Sequence, residues 1–196
     1  MNFLAHIFLS GSDEGLLLGN FIADSVKGKQ ALQYPERVQQ GILLHRQIDF
    51  YTDTHPVVAK SKERLRPQYR KYAGVIADIF YDHFLAANFD HFSEIQLKNY
   101  VNQVYRLFEQ NQQWFPERVK HFLPYMIGQN WLEAYAGLKG IDRALSGLSR
   151  RTTFESGMDV AVQELEQHYD LYQQEFQLFF PELQAFVEEE KSKLLN

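Results

Sequence analysis

The sequence predicts an all-α fold, a single-domain helical bundle, on three observations. Apolar residues recur at three- and four-residue spacings almost throughout, strand-like alternation is nearly absent, and 16 Phe and 11 Tyr in a chain of 196 residues supply one full-sized core rather than two. The motif-bearing part of this domain is expected over about residues 1–90, with further packing helices over about 91–196.

The first clear helix is expected from about Ser12, a candidate N-cap followed by Asp13 and Glu14, to Lys27 and Gly28, which supply C-terminal charge and a stop. Pro35 starts a second, with Val38, Ile42, Leu44 and Ile48 supplying its apolar surface to about Asp53. His55-Pro56 opens a shorter helix ending near Pro67. From Tyr69 to Asn88 the pattern Tyr72, Val75, Ile76, Ile79, Phe80, Phe84 is apolar on more than one face, which marks a central element. Further helices are expected over Ser93 to Trp114, Pro116 to Ala136 with a kink near Pro124, Ile141 to Leu148, Ser156 to Phe179, and Pro181 to Leu195.

Composition narrows the function. The absence of cysteine excludes a disulfide framework, a Cys-ligated zinc, an iron-sulfur cluster and a cysteine nucleophile. Twenty Lys and Arg against 25 Asp and Glu argue against general nucleic-acid binding. The short apolar run at the N-terminus has no basic segment before it, and no apolar stretch approaches the roughly 20 residues that a spanning helix needs. A soluble, cytoplasmic protein with no membrane partner is expected. The charge is uneven: Lys60, Lys62, Arg64, Arg66, Arg70 and Lys71 form a basic strip, while the last forty residues are rich in Glu and read as a solvated acidic face.

Polar residues inside apolar stretches carry the most information, because a buried charge is costly unless it is paired or coordinates a metal. A spacing of four places Asn20 and Asp24 on one helix face, stacks His45 over Asp49, and stacks Asp78 over Asp82. His83 is turned about 100° away from Asp82. An imidazole and several carboxylates brought together from three helices would suit Mn, Fe, Zn or Mg. His6, in an apolar N-terminal segment, suits either a hydrogen-bonded core histidine or a ligand. No His has Glu three residues before it, and the zincin, P-loop, dinucleotide-turn and nucleophile-elbow motifs are all absent.

Leu4-Ala5-His6, Gly19-Asn20-Phe21-Ile22-Ala23-Asp24, Gly41 to Asp49, Thr52-Asp53-Thr54-His55-Pro56 and Tyr72 to Leu85 together resemble the acyl carrier protein phosphodiesterases. The resemblance is strongest over about residues 1–90. It implies an all-helical relative of the HD phosphohydrolases that uses a divalent metal, Mn2+ before Mg2+ or Fe2+, to hydrolyse 4'-phosphopantetheine from the serine of holo-acyl carrier protein. The chain departs from that superfamily in having no His-Asp dipeptide, only the reversed Asp82-His83 and Asp90-His91.

With that chemistry, Asp24, His45, Asp49, Asp78 and Asp82 are the candidate ligands. His83 or His45 is the candidate acid for the departing serine oxygen. Arg46 and Lys27 are candidate phosphate partners, Arg46 and Asp82 standing also among the catalytic candidates. His6 and Asn20 are candidate substrate contacts, and Lys60, Lys62, Arg64 and Arg66 offer a dock for the acidic carrier protein. Two other readings stay open: a metal-dependent hydrolase of a small nucleotide or other phosphodiester, and a non-catalytic helical module that binds acidic partners.

Overall fold

The computed structural model describes residues 1–195, and all regular structure among them is helical. The helices are α1 (Phe3–Leu9), α2 (Glu14–Ile22), α3 (Glu36–Thr54), α4 (Pro56–Tyr69), α5 (Ala73–Ala87), α6 (Leu97–Gln110), α7 (Glu117–Gly128), α8 (Trp131–Ala134), α9 (Leu138–Ser149), α10 (Val162–Gln167) and α11 (Tyr169–Leu195). Short 3-10 turns fill several of the joints, among them Ala23–Ser25 and Gly28–Gln33. The buried apolar side chains form one continuous core, in which α5 is enclosed on nearly every side, as a pattern apolar on more than one face predicts. No helix among the described residues is long and apolar enough to cross a membrane.

The element absent from the sequence-based expectation is α1. Its seven residues are too few for a periodic signal, and Asn2 offers no side-chain cap. Its cap comes from far along the chain: the buried Asp82 carboxylate on α5 accepts from the backbone N–H groups of Asn2 at 3.3 Å, Leu4 at 2.7 Å and Ala5 at 3.2 Å. A carboxylate so placed satisfies amides that a helix start leaves open and suits its positive end.

Helix α2 is capped by Asp13, whose side chain accepts from Leu16 N–H, rather than by Ser12, and it ends at Ile22 in a 3-10 turn rather than at Lys27 and Gly28. It meets α3 at unusually short range through two glycines. A Cβ on Gly19 would lie 2.1 Å from the Val38 carbonyl oxygen, and one on Gly41 would lie 2.2 Å from that of Leu16. Only glycine permits this approach, which brings the Asn20 backbone against the His45 side chain.

Three other expected boundaries move. Helix α4 continues past Pro67 and stops at Arg70, whose φ is 48°. Pro124 lies inside α7, and the break before α8 falls at Asn130, which is in the left-handed conformation. Pro181 does not divide the C-terminal segment: the break falls at His168, and α11 runs on through the proline. Tyr172, Phe176, Phe179, Phe180, Leu183 and Val187 form one buried stripe across it. Burial of these side chains, roughly 1.5–3 kcal/mol for each large one, outweighs the backbone bond that proline removes.

The acidic face of α11 is also not simply solvated. Glu175 forms a two-pronged ion pair with Arg64 at 2.7 and 3.0 Å and accepts from Ser61, Glu182 lies 3.1 Å from His55, and Glu190 accepts from Gln47. These pairs fasten α11 across α3 and α4.

Candidate metal centre

Helices α1 and α3 and the turn after α2 bring four side chains to one point. His6 Nε2 lies 3.1 Å from Asp49 Oδ1, and His45 Nε2 lies 3.2 Å from Asp49 Oδ2 and 3.3 Å from Asp24 Oδ1. The two imidazoles stack, with ring centroids 3.9 Å apart and planes 17° from parallel. His6, His45 and Asp49 each offer a ligand atom within 4.8 Å of the others, a group able to hold a metal ion. Both histidines are buried, whereas the side chains of Asp49 and Asp24 are 41% and 74% exposed, so the cluster opens to solvent on the carboxylate side.

Asn20 sets the state of both rings. Its amide nitrogen donates to the His6 carbonyl oxygen at 2.9 Å and to Ser10 Oγ at 3.0 Å, which fixes Oδ1 as the atom facing the imidazoles. His6 Nδ1–H and His45 Nδ1–H therefore donate to that oxygen, at 2.8 and 3.0 Å, and His45 Nδ1 also reaches the Asn20 carbonyl at 2.9 Å. Both Nε2 atoms are left pointing their lone pairs at carboxylate oxygens, an arrangement that calls for a cation between them.

Without such an ion, a proton must serve. Burial opposes charge on His45, but its hydrogen bonds to Asp24 and Asp49 outweigh that and raise its pKa to about 9. Burial and then the neighbouring His45 charge lower His6 to about 4. One imidazolium is thus tolerated in the stack and a second is not. The hydrogen bond from His45 holds Asp24 below its ordinary value, and at Asp49 the bond from His45 likewise overcomes burial.

The matches to known proteins identify the family. The family model described as acyl carrier protein phosphodiesterase covers residues 1–183. The chain belongs to that family. A relative named acyl carrier protein phosphodiesterase from Photorhabdus laumondii is 36% identical over 92% of this chain and 92% of its own length. Relatives of the same name from Enterobacter sp. (34% identical, 93% and 95% covered) and Yersinia enterocolitica (30% identical, 97% and 100% covered) extend the likeness over essentially the full length. No solved structure matches the chain.

Other residues singled out in the sequence fall elsewhere in this family member. Asp82 faces the α1 amides, and burial raises its pKa to about 7 despite them. Asp78 lies 3.1 Å from the Met1 amino group, which is itself 3.9 Å from Asp49, so Asp78 meets the cluster only through Met1. His83 is buried on another face of α5, where Nδ1–H donates to the Tyr135 carbonyl at 2.8 Å and Nε2 accepts from Tyr169 OH at 2.9 Å. Arg46 and Lys27 are exposed and unpaired among the described residues.

The basic strip is dispersed around α4. Lys62 pairs with Asp53 at 3.0 Å, and Arg64 is bound to Glu175 and lies over the Tyr172 ring, while Lys60 and Arg66 point to solvent. Of the cluster itself, the Asn20/Asp24 and His45/Asp49 spacings were visible in the sequence. For His6 the sequence leaves a core histidine and a ligand both open, because no periodic signal ties α1 to α3.

Proposed function

We propose that the chain is a metal-dependent phosphodiesterase that hydrolyses 4'-phosphopantetheine from the serine of holo-acyl carrier protein, leaving apo-carrier protein and 4'-phosphopantetheine. The observation that carries this reading is the pair of Nε2 lone pairs, fixed by Asn20, facing Asp49 and Asp24 in a chain that belongs to the acyl carrier protein phosphodiesterase family.

The donor set fits a divalent ion. His6 Nε2, His45 Nε2 and Asp49 would hold it, with Asp24 at the open rim, and two imidazoles with carboxylate oxygens suit Mn2+ or Fe2+ better than a soft metal. When bound, such an ion neutralises charge on phosphoryl oxygens and lowers the pKa of a coordinated water. An HD-like ancestry is part of this proposal: the His and Asp lie one helical turn apart on α3 instead of forming a dipeptide.

The chain's own residues prepare that chemistry. Asn20 locks the tautomer of both rings, and the glycine-mediated approach of α2 to α3 holds Asn20 in place. Arg46 is exposed and precedes Asp49 by three residues, so it lies on the same side of α3, and its guanidinium would serve as the phosphodiester's partner. Neither imidazole considered as the general acid is free for that work. Both ring nitrogens of His83 are occupied by Tyr135 and Tyr169, and His45 gives one nitrogen to Asn20 and the other to the carboxylates. The departing serine oxygen therefore takes its proton from water at the exposed rim.

Intact-mass analysis of holo-acyl carrier protein after incubation with the purified protein tests the proposal. Loss of the phosphopantetheine mass with Mn2+ and none with chelator is the expected result. An unchanged mass in both samples, with a folded and Mn2+-loaded protein, overturns it. Turnover of small phosphodiesters alone would move the activity to a small-molecule substrate.

A further inference from the structure

Three arginines without an ion-pair partner among the described residues open onto one cavity. Arg143, Arg150 and Arg151 line a space of about 250 Å³ at the junction of α1, α7, α8 and α9. No carboxylate lines it, and none of the three guanidiniums makes an ion pair among the described residues, although the chain carries a net charge of -5. Arg150 and Arg151 close α9, where cations complement the helix dipole. That effect does not account for Arg143, which lies in mid-helix and shares a face with Arg150 seven residues on.

The rest of the lining is aromatic and amide-bearing. Phe3, Trp131 and Tyr135 supply an apolar wall, with Arg151 lying 5.8 Å over the Trp131 ring, and Asn2 and Gln129 supply amides. Asn2 also joins the cavity to the α1 start: its side chain donates to Tyr135 OH at 3.1 Å while its backbone N–H is held by Asp82. The cavity is thus distinct from the His/Asp cluster, and shares with it the short helix that carries His6.

We propose that this cavity binds an organophosphate, with a phosphate monoester on the three guanidiniums and its uncharged organic arm along the Trp131 and Tyr135 wall. Guanidinium forks match phosphate oxygens, and three of them favour a dianion over a monoanion. The volume, a little under the usual range for small-molecule sites, suits a phosphate and the first part of an arm rather than a dinucleotide. The source of that ligand rests on the function proposed above. Hydrolysis breaks the bond between phosphorus and the serine oxygen, and water supplies the replacing oxygen, so a diester monoanion becomes a monoester dianion on an uncharged amide-containing arm. The cavity would then bind the released product in preference to the diester.

Calorimetric titration in the presence of chelator tests this without any turnover, using 4'-phosphopantetheine, pantetheine and inorganic phosphate as separate probes. The phosphorylated arm is expected to bind saturably and at least tenfold more tightly than either pantetheine or phosphate. The double variant R143Q/R151Q should weaken it at least tenfold with an unchanged melting temperature, and the exposed-charge control K60Q should not. No saturable binding, equal binding of pantetheine or phosphate, or binding that R143Q/R151Q leaves unaltered overturns the proposal. Binding of apo-carrier protein at these arginines without binding of the phosphorylated arm also overturns it, and makes the face a protein dock. Because no ion is present, absent hydrolysis leaves a positive titration standing, and intact hydrolysis beside a failed titration removes the cavity alone.

Discussion

The rings of His6 and His45 stack 3.9 Å apart while both donate Nδ1–H to the single oxygen Oδ1 of Asn20. One asparagine thereby orients two imidazoles from two helices. If these rings are ligands, removing that oxygen frees both to rotate and change tautomer. Asn20→Ala is expected to weaken Mn2+ binding roughly 10- to 100-fold, the usual cost of losing an orienting partner. Asp49→Ala, which removes the carboxylate between both Nε2 atoms, is expected to abolish it. Titration of Mn2+ into folded variants reads both; a wild-type affinity in Asn20→Ala would remove Asn20 from the site.

The ion-free protein should lose stability as the solution becomes alkaline. His45 has an ordinary value of 6.5 and a folded value of about 9, so its folded form binds the proton more tightly than the unfolded chain does. That contribution is complete below pH 6.5 and disappears as pH rises through about 9, by on the order of 3 kcal/mol at most. Melting temperatures in chelator should fall across this window, and should fall much less in His45→Asn. Mn2+ affinity should rise over the same window as the competing proton leaves. A flat melting profile between pH 6.5 and 9 would contradict the geometry around His45.

Asp82 separates a structural carboxylate from a ligand. Asp82→Ala leaves the buried amides of Leu4 and Ala5, and that of Asn2, without their acceptor, a loss of about 3–5 kcal/mol if each costs 1 kcal/mol or more. The expected fall in melting temperature is about 6–20 °C. Asp82→Asn keeps an acceptor oxygen and removes a charge that burial already disfavours, so it should be milder and retain Mn2+. Loss of Mn2+ from a well-folded Asp82→Asn protein would instead make this carboxylate a ligand.

The basic residues of α4 divide in the same way. Arg64→Leu breaks a two-pronged pair with a largely buried Glu175 and should destabilise the protein. Charge reversal at Lys60 and Arg66, which are exposed and make no ion pair among the described residues, should raise KM for the acidic carrier protein and flatten its salt dependence. An unchanged KM would remove this helix as a docking face.

What was legible in the sequence follows local physics. Pro35 marks the start of α3 to within one residue, and the apolar pattern around Ile79 and Phe80 identifies the enclosed helix α5. The His45/Asp49 and Asp78/Asp82 pairs, however, look alike as spacings, and only tertiary placement separates them. The first pair faces α1 and α2; Asp82 meets the start of α1 and Asp78 the Met1 amine. Helix α1 has no local signature because its cap lies some eighty residues away, and α11 runs through Pro181 because its buried stripe outweighs a local breaker.

The glycine pair between α2 and α3 ties the fold to the site, and Gly41→Ala probes that link. The added methyl would meet the Leu16 carbonyl oxygen, a backbone atom that cannot swing aside, so the helices must part. Overpacking of this kind costs about 1–3 kcal/mol, which corresponds to a fall in melting temperature of roughly 2–12 °C. The same displacement pulls His45 away from the Asn20 carbonyl that now lies 2.9 Å from its Nδ1, so Mn2+ affinity should fall in a variant that still folds. A methyl elsewhere on α3 would not do both. If Gly41→Ala lowers stability and leaves the affinity intact, the alignment of the histidines does not depend on how closely the two helices meet.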